Sequence, residues 1–527
     1  LGARGISAEA ITSLQGDMPR YLMDGVFFRD FLASGPRVTL SGMLEYAQRY
    51  YARYPALSIG HHPPLLPLAL VPFFATFGVS IASGRLAILA FFLLAVWQLH
   101  VLGRRVYGRT AAGWACILFA SHPFIVRFGQ QVLSEMPTIA LVLVAVNAAF
   151  RFRETGRFRH YLGLLAAIVL SLAARQLAVF VTPVYAAIVL DRRGWVLFAR
   201  RSILLCTIAL GIAFVAVAIA TFLFSPFNVA VVLAVLHHDL TLADTLAVLR
   251  VIATNQIGLA LALVCAAGLL SSWLMRDRRI VFVTLWIACV VGAVVVFTGP
   301  IEPDRYSILA VPAYCLAAAT LAVRARAHQI GRVIGYGVLL AATCWQFAVA
   351  ASKPLVEADG YEQAAAFVVS QDQAPTVLFS GPVDTGYFVF FVRKHDPAQR
   401  LIVLRSDKVL TTSEMGNVDV EERISRREEI YDVLRRFGTR FVVIEDRPAG
   451  SRVLDWLRDE LKASRFAERR RYQTRATDRR LRGVDIVVYE YLDATPPAPD
   501  AVLDLHLPVV GRDIRVPLSD LRQASTP

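Results

Sequence analysis

Ten apolar runs of 14 to 23 residues follow one another between positions 84 and 350, at 84–103, 111–126, 132–150, 161–174, 176–190, 202–224, 253–275, 280–299, 305–323 and 331–350. A run of about 20 apolar residues is long enough to cross a bilayer, and such a series leaves few folds open. The chain reads as a polytopic α-helical membrane protein. Composition agrees: 56% of the 527 residues are hydrophobic and only 18% are charged, against roughly 25% charged in soluble domains.

The net charge of +14 is distributed in a way that excludes nucleic acid as the partner. Arginines crowd the short connectors "GRRVYGR" (103–109), "RFRETGRFRH" (151–160), "DRRGWVLFARR" (191–201), "MRDRR" (275–279) and "RARAHQIGR" (324–332). That is the positive-inside pattern of cytoplasmic loops. All five lie on one side if 161–174 and 176–190 are separate short helices meeting near Arg175. The only lysines are Lys353, Lys394, Lys408 and Lys462, outside the apolar runs. Any cation used within the membrane part is therefore Arg or His. The six cysteines all fall within apolar runs at no ligand-like spacing and read as packing residues.

On this topology residues 1–62 form an outer loop. The segment "PPLLPLALVPFFATFGV" (63–79) carries four prolines, which remove backbone donors and bend a helix. It reads as a juxtamembrane or re-entrant helix, with a true span as the alternative, and a first spanning helix is expected ahead of Leu1. Residues 63–352 form the membrane domain. Residues 353–495 alternate strands at 376–381, 387–392, 400–405, 440–446 and 484–492 with amphipathic helices at 426–438 and 451–466, the pattern of an outer α/β domain. Residues 496–527, opening "TPPAPDAVLD", read as a loosely held tail.

Charged residues at a bilayer surface ask for a reason. "QGDMPRYLMDGVFFRDFL" (15–32) holds Asp17, Asp24 and Asp30 with Arg20 and Arg29. Asp17, ahead of Pro19, suits either a helix N-cap or a catalytic carboxylate. Asp24 shares a helical face with Tyr21 and Phe28 and otherwise reads as a solvated loop residue; Asp30 lies further along the same stretch. His61 and His62 precede a Pro pair that favours an extended backbone. Glu135 stands at the start of an apolar run, where it can also serve the helix dipole. Arg175 interrupts "LSLAARQLAVF", and Arg305 either pairs with Glu302 or Asp304 or serves a site. His237, His238, Asp239 and Asp244 in "LHHDLTLAD" (236–244) are a weak metal candidate, set aside.

The order of short motifs resembles a known class. "GDMPRY…FLASG" leads to "RYPALSIGHHPPL" (53–65), "FGVSIASGRL" (77–86), "GRRVYGRTAAGWACILFASHP" (103–123), "SEMP" (134–137) and, later, "DRYSILAVP" (304–312). This resembles the GT-C glycosyltransferases that use polyprenyl-phosphate sugars, among them the lipid A aminoarabinose transferases and protein O-mannosyltransferases. The resemblance implies a GT-C membrane fold of about 10–12 transmembrane helices with a C-terminal soluble α/β domain. It implies that Asp17 lies in the active site, with Arg20 and Tyr21 beside it. His62 stands where the family has a lysine for the lipid phosphate, and Glu135 matches an outer acid. Arg305 and Tyr306 match a late Arg-Tyr step, and Arg305 or Arg175 would replace the missing lysine charge. Asp24 and His61 are secondary site candidates.

The implied activity is transfer of a sugar from a polyprenyl phosphate to an acceptor hydroxyl on a lipid, glycan or protein, with inversion. It would take place on the periplasmic face of a bacterial inner membrane. No cofactor is required by the motifs, which leave room for a divalent cation. The chemistry fits the residue types. A departing phosphate needs fixed positive charge, which Arg supplies through its planar fork, and the acceptor needs a base. Rival readings are a transporter or flippase of lipid-linked sugars, or a non-catalytic relative that binds them.

Overall fold

The computed structural model describes residues 16–35, 39–58, 61–190, 200–224, 229, 233, 241–298, 302–324, 329–352, 358–371, 376–382, 385–412, 421–474, 476, 481–507 and 511–523. Three helices precede the first long apolar one: α1 (Asp17–Ala33), α2 (Leu40–Arg53) and α3 (Leu65–Phe77). Thirteen residues of α3 span about 20 Å, short of a hydrocarbon core of about 30 Å, which suits the re-entrant reading. α3 packs along α1, and Gly25 permits the approach: a Cβ there would lie 2.9 Å from Leu70 Cδ1 and 3.0 Å from Phe74 Cε2.

The membrane part continues as α4 (Ile81–Tyr107), α5 (Arg109–Ser121), α6 (Pro123–Phe128), α7 (Glu135–Thr155), α8 (Phe158–Ala174), a 3₁₀ turn (Gln176–Val181), α9 (Thr182–Leu190), α10 (Arg201–Phe224), α11 (Leu242–Val251), a π-helical stretch (Ile252–Ile257), α12 (Leu259–Leu274), α13 (Ile280–Phe297), α14 (Pro303–Tyr306), a 3₁₀ turn (Ser307–Ala310), α15 (Val311–Arg324) and α16 (Gln329–Ser352). Among the described residues, five helices are long and apolar enough to cross a membrane, and seven if each bent pair is one span. Shorter apolar helices at 65–77, 158–174, 176–190 and 201–213 accompany them, so ten or more crossings would need the short ones too. Small residues let the helices close up: a side chain at Gly268 on α12 would run into the Ala317 carbonyl on α15.

Two expected continuous runs are broken. The 111–126 run bends by 63° between α5 and α6, where Pro123 cannot donate and the His122 imidazole instead accepts from the Phe124 N–H at 3.2 Å. The 253–275 run bends by 104° at Gly258, whose φ of +75° is open to glycine. The helices have two unlike poles. Glu135 opens α7 and Arg175 comes directly after α8, so both lie at the end of that hairpin away from the Arg-rich 151–160 turn. At the arginine pole, Arg279 Nη1 donates to the Val106 carbonyl at 3.1 Å, joining two of the basic connectors.

The C-terminal domain contains a five-stranded sheet in the order β2 (Ile402–Arg405), β1 (Thr376–Ser380), β5 (Thr439–Glu445), β7 (Asp485–Tyr491), β6 (Phe466–Gln473), with a small ribbon of β3 (Thr411–Thr412) and β4 (Glu421–Glu422) beside it. β2, β1 and β5 run parallel, with Val377 opposite Val403, and β7 runs antiparallel to β5. The helices are α17 (Tyr361–Val369), α18 (Thr385–His395), α19 (Ser406–Val409), α20 (Glu429–Phe437) and α21 (Arg452–Glu460). Residues 387–392, expected as a strand, lie in α18, because joining parallel β1 to β2 needs a crossover, usually helical. Its apolar run is buried on all sides, so β-rich composition could not tell strand from helix. The expected helix at 451–466 stops short, and its last residue, Phe466, opens β6.

The expected loose tail is folded. Residues 502–517 form an antiparallel hairpin, β8 (Val502–Leu507) and β9 (Arg512–Pro517), and α22 (Leu518–Gln523) closes it. Leu503, Leu505, Ile514, Val516, Leu518 and Leu521 are buried in the domain's second core. That core includes Ala52 of α2, and α2 packs on β2, β9 and α22.

Asp24, expected to be solvated, is 2% exposed, and Asp30, 7% exposed, ties α1 to this domain. Its Oδ2 accepts from Arg393 Nε at 2.9 Å and Nη2 at 2.7 Å, and from the Tyr50 hydroxyl at 2.8 Å. Arg53 Nη1 donates to the Gln399 carbonyl at 2.5 Å, and Arg405 Nη1 to the Pro55 carbonyl at 3.0 Å. The helix carrying Asp17 is thus held on one side by α3 and on another by the C-terminal domain.

Candidate active site

Asp17 is the first residue of α1, and its carboxylate is held from two other elements. Oδ2 accepts from Arg305 Nη2 at 2.8 Å, and Oδ1 lies 3.4 Å from His62 Nε2. Burial alone would raise this carboxyl. The His62 contact and the Arg305 guanidinium outweigh it and hold Asp17 well below the usual carboxylate range. The side chain keeps 28% exposure, so it is ionised and reachable.

Arg305 gathers three acids. Besides Asp17, its Nε donates to Glu135 Oε1 at 2.5 Å and its Nη1 to Glu302 Oε2 at 3.2 Å. Glu302 sits in a left-handed conformation, φ +42°, a costly backbone for a side chain of this type. The turn is also held from the π-helical stretch: Gln256 Nε2 donates to the Asp304 carbonyl at 2.7 Å, and its Oε1 accepts from Ser307 at 3.0 Å. This gives the break at 252–258 a role in placing Arg305. Arg175 Nη1 shares Glu135 Oε1 at 2.5 Å, and the guanidinium carbon of Arg175 lies 5.1 Å over the Tyr306 ring. Glu135 is fully buried, and its Oε2 has no hydrogen-bond partner among the described residues.

The other side of Asp17 is built from one face of α1. Asp17, Tyr21 and Asp24 recur at four and seven residues, so they stack on that face. The Tyr21 ring lies 4.3 Å from the His62 ring at 21°. His62 Nδ1 is 2.7 Å from the Ser58 hydroxyl, which donates to Asp24 Oδ2 at 3.0 Å while the Ser58 N–H reaches Asp24 Oδ1 at 3.0 Å. Asp24 is 2% exposed, and burial, which outweighs the opposing Ser58 bonds and the His62 and Arg20 charges, pushes its carboxyl up to about 6. The His61 ring lies 4.8 Å from that of His62.

The structure therefore brings Asp17, Tyr21, Asp24, His62, Glu135, Arg175, Arg305 and Tyr306 into one neighbourhood, with His61 at its edge. Arg20 stands beside Gly16, with no carboxylate partner among the described residues. Sequence reasoning missed Ser58 and Gln256, which carry no distinctive signal. Among the described residues no group of three or more His, Cys, Asp or Glu side chains is arranged to hold a metal ion. His237, His238 and Asp239 lie outside the described residues.

Known proteins resemble this chain in part of its sequence and in its fold. Residues 61–227 match the family model described as dolichyl-phosphate-mannose-protein mannosyltransferase. That segment contains His62, Glu135 and Arg175 but neither Asp17 nor Arg305. No curated protein sequence matches the chain. Among solved structures, ArnT from Cupriavidus metallidurans superposes in its apo state with a TM-score of 0.52 and 15% identity, covering 91% of this chain and 94% of that one. The same protein bound to undecaprenyl phosphate gives a TM-score of 0.53 at the same identity and coverage. The arabinofuranosyltransferase AftD from Mycobacteria gives 0.46 at 15% identity, covering 80% of this chain and 35% of that one. The expected fold is borne out: a polytopic helical GT-C membrane fold with a C-terminal strand-containing domain.

Proposed function

We propose that this chain is a membrane glycosyltransferase that moves a sugar from a polyprenyl phosphate to an acceptor hydroxyl. The observation that carries the reading is Asp17, an ionised and partly open carboxylate held between Arg305 and His62 at the acidic pole of an apolar helix bundle. The family match over residues 61–227 and the undecaprenyl phosphate bound to a protein of the same fold support it.

The acceptor oxygen attacks the anomeric carbon while the bond to the phosphate oxygen breaks on the opposite side. Asp17 takes the hydroxyl proton, a contribution of about 10²–10⁴ in rate. A single displacement inverts the anomeric centre. The departing phosphate needs fixed positive charge. Each of the three nitrogens of Arg305 already meets a carboxylate, so its first role in this reading is to fix Asp17. Arg20 and the remaining donors of Arg175 are the cations for the donor phosphate. His62, in place of a lysine, orients Asp17, and Tyr21 and Tyr306 brace His62 and Arg175.

In this reading the acidic pole faces the periplasm of a bacterial inner membrane, and the arginine-rich connectors face the cytoplasm. Residues 1–62 and 353–495, with 496–527, cover the outer side of the membrane domain at 63–352. The test is transfer of radiolabelled sugar from a panel of polyprenyl-phosphate sugars into a membrane extract by wild type and Asp17→Asn. Label transferred by wild type and lost in the variant, at equal protein level, is the expected result. Donor movement across vesicles without transfer from any donor would replace this reading with that of a flippase.

A further inference from the structure

We propose that Asp17 passes the acceptor's proton through His62 and Ser58 to Asp24, so that Asp24 is the final proton acceptor of each turnover. This rests on the glycosyl-transfer reading above. The observation is an unbroken chain of four groups: Asp17 Oδ1 to His62 Nε2 at 3.4 Å, His62 Nδ1 to Ser58 Oγ at 2.7 Å, and Ser58 Oγ to Asp24 Oδ2 at 3.0 Å.

Hydrogen counting gives the chain a direction. Ser58 has one hydroxyl hydrogen. While Asp24 is ionised, that hydrogen goes to Asp24, so the short contact with His62 is an Nδ1–H donating to Ser58 Oγ. In neutral His62 the bare Nε2 then faces Asp17. Before the reaction two acceptors meet there, at 3.4 Å, and in that tautomer the hold on the Asp17 charge comes from Arg305. Once the acceptor's O–H bond breaks and its proton joins Asp17, Nε2 can take it. His62 Nδ1–H then moves to Ser58 Oγ, and the Ser58 hydrogen moves to Asp24. Asp17 ends as a carboxylate, His62 neutral with its hydrogen on Nε2, Ser58 unchanged and Asp24 a carboxylic acid. One O–H bond has broken and one has formed, and no external reactant is needed until Asp24 releases its proton.

The energetics favour that direction. A carboxylate clamped by Arg305 is a poor place to leave a proton. Asp24 lies two helical turns away, 2% exposed, on a helix packed along α3, which carries no titratable residue. The titratable groups facing Asp24 are His62 and Arg20; those facing Asp17 are Arg305 and His62; His61 and Tyr21 flank His62. The chain can accept a proton only while Asp24 is ionised. The rate of the chemical step therefore rises with pH through about 6.

The experiment is a kcat profile from about pH 5 to about pH 8 for the full chain in lipid nanodiscs, with a donor that wild type uses. Wild type, Asp24→Asn, Ser58→Ala and Ser58→Thr are compared, and donor affinity is measured alongside. We expect Asp24→Asn and Ser58→Ala to lower kcat about 10-fold or more with donor affinity unchanged and the limb near pH 6 lost. Ser58→Thr, which keeps the hydroxyl, restores both rate and limb. An unchanged limb in Asp24→Asn with wild type active would overturn the relay and leave Asp17 as sole base. Parallel loss of kcat and donor affinity in all three variants would also overturn it, in favour of a structural role. No transfer by wild type from any donor would overturn the function and the relay together.

Discussion

Arg305 and Asp17, 288 positions apart in the chain, are joined by a 2.8 Å ion pair that fixes the first residue of α1 onto the start of a late apolar helix. The same guanidinium holds Glu135 and Glu302. A lysine ammonium is a point charge and cannot reproduce that planar three-way grip. Arg305→Lys is expected to lower kcat about 10-fold or more and to let the Asp17 carboxyl rise towards its ordinary value. Because Asp17 acts ionised, a second fall in kcat would then appear on acidification towards 3.8, below the limb near 6 that Asp24 sets and in a range where wild type keeps Asp17 ionised. A kcat profile against pH checks both the size and the direction.

Glu135 neutralises two guanidiniums from full burial. Glu135→Gln leaves both cations facing a neutral oxygen. Breaking a buried pair by removing one partner costs about 3–5 kcal/mol. Thermal unfolding in detergent is expected to show a large drop in Tm, with Glu135→Asp falling between.

Asp24 makes the opposite prediction for stability. Its folded carboxyl lies near 6, above its ordinary 3.8. The folded state thus binds the proton more tightly, and the stability this contributes is full below about 3.8 and is lost as pH rises through about 6. At neutral pH Asp24 is a buried charge that works against folding. Asp24→Asn is expected to stabilise the protein by on the order of 1–2 kcal/mol at pH 7, after allowing for a weakened bond to Ser58. Tm of the two proteins at pH 5 and pH 7.5 tests this, the gain being larger at the higher pH.

The Asp30–Arg393 pair makes the C-terminal domain a support for α1. Both side chains are buried, at 6% and 4% exposure. Arg393→Gln strands Asp30 in the interface, at a cost of about 3–5 kcal/mol. Adding Asp30→Asn should recover much of it, and the double-mutant cycle in Tm should report a coupling of at least about 1 kcal/mol.

The chemistry concentrated in short stretches was legible in the sequence. Asp17, Tyr21, His62, Glu135 and Arg305 stand beside prolines at the ends of apolar runs, and the structure brings them together. Ser58 was invisible, because a hydroxyl in "ALSIGHH" looks like any loop serine until His62 turns back onto it. The Asp30–Arg393 pair spans 363 positions, beyond any local pattern. The 502–517 hairpin carried its signal, the alternation in "VLDLHL", but the proline-rich stretch ahead of it pointed to a tail. α18 hid because a fully buried helix and a fully buried strand share one composition.

Whether Asp17 is the base is decided by single-turnover transfer. The full chain in nanodiscs is loaded with a labelled donor that wild type uses, and the chemical step is timed for wild type, Asp17→Asn and Asp17→Glu, with donor affinity measured in parallel. Asp17→Asn is expected to bind donor within a few-fold of wild type and to lose about 10² or more in the chemical step, with Asp17→Glu intermediate. A chemical step in Asp17→Asn within a few-fold of wild type would refute the assignment and move the proton acceptor elsewhere in the cluster.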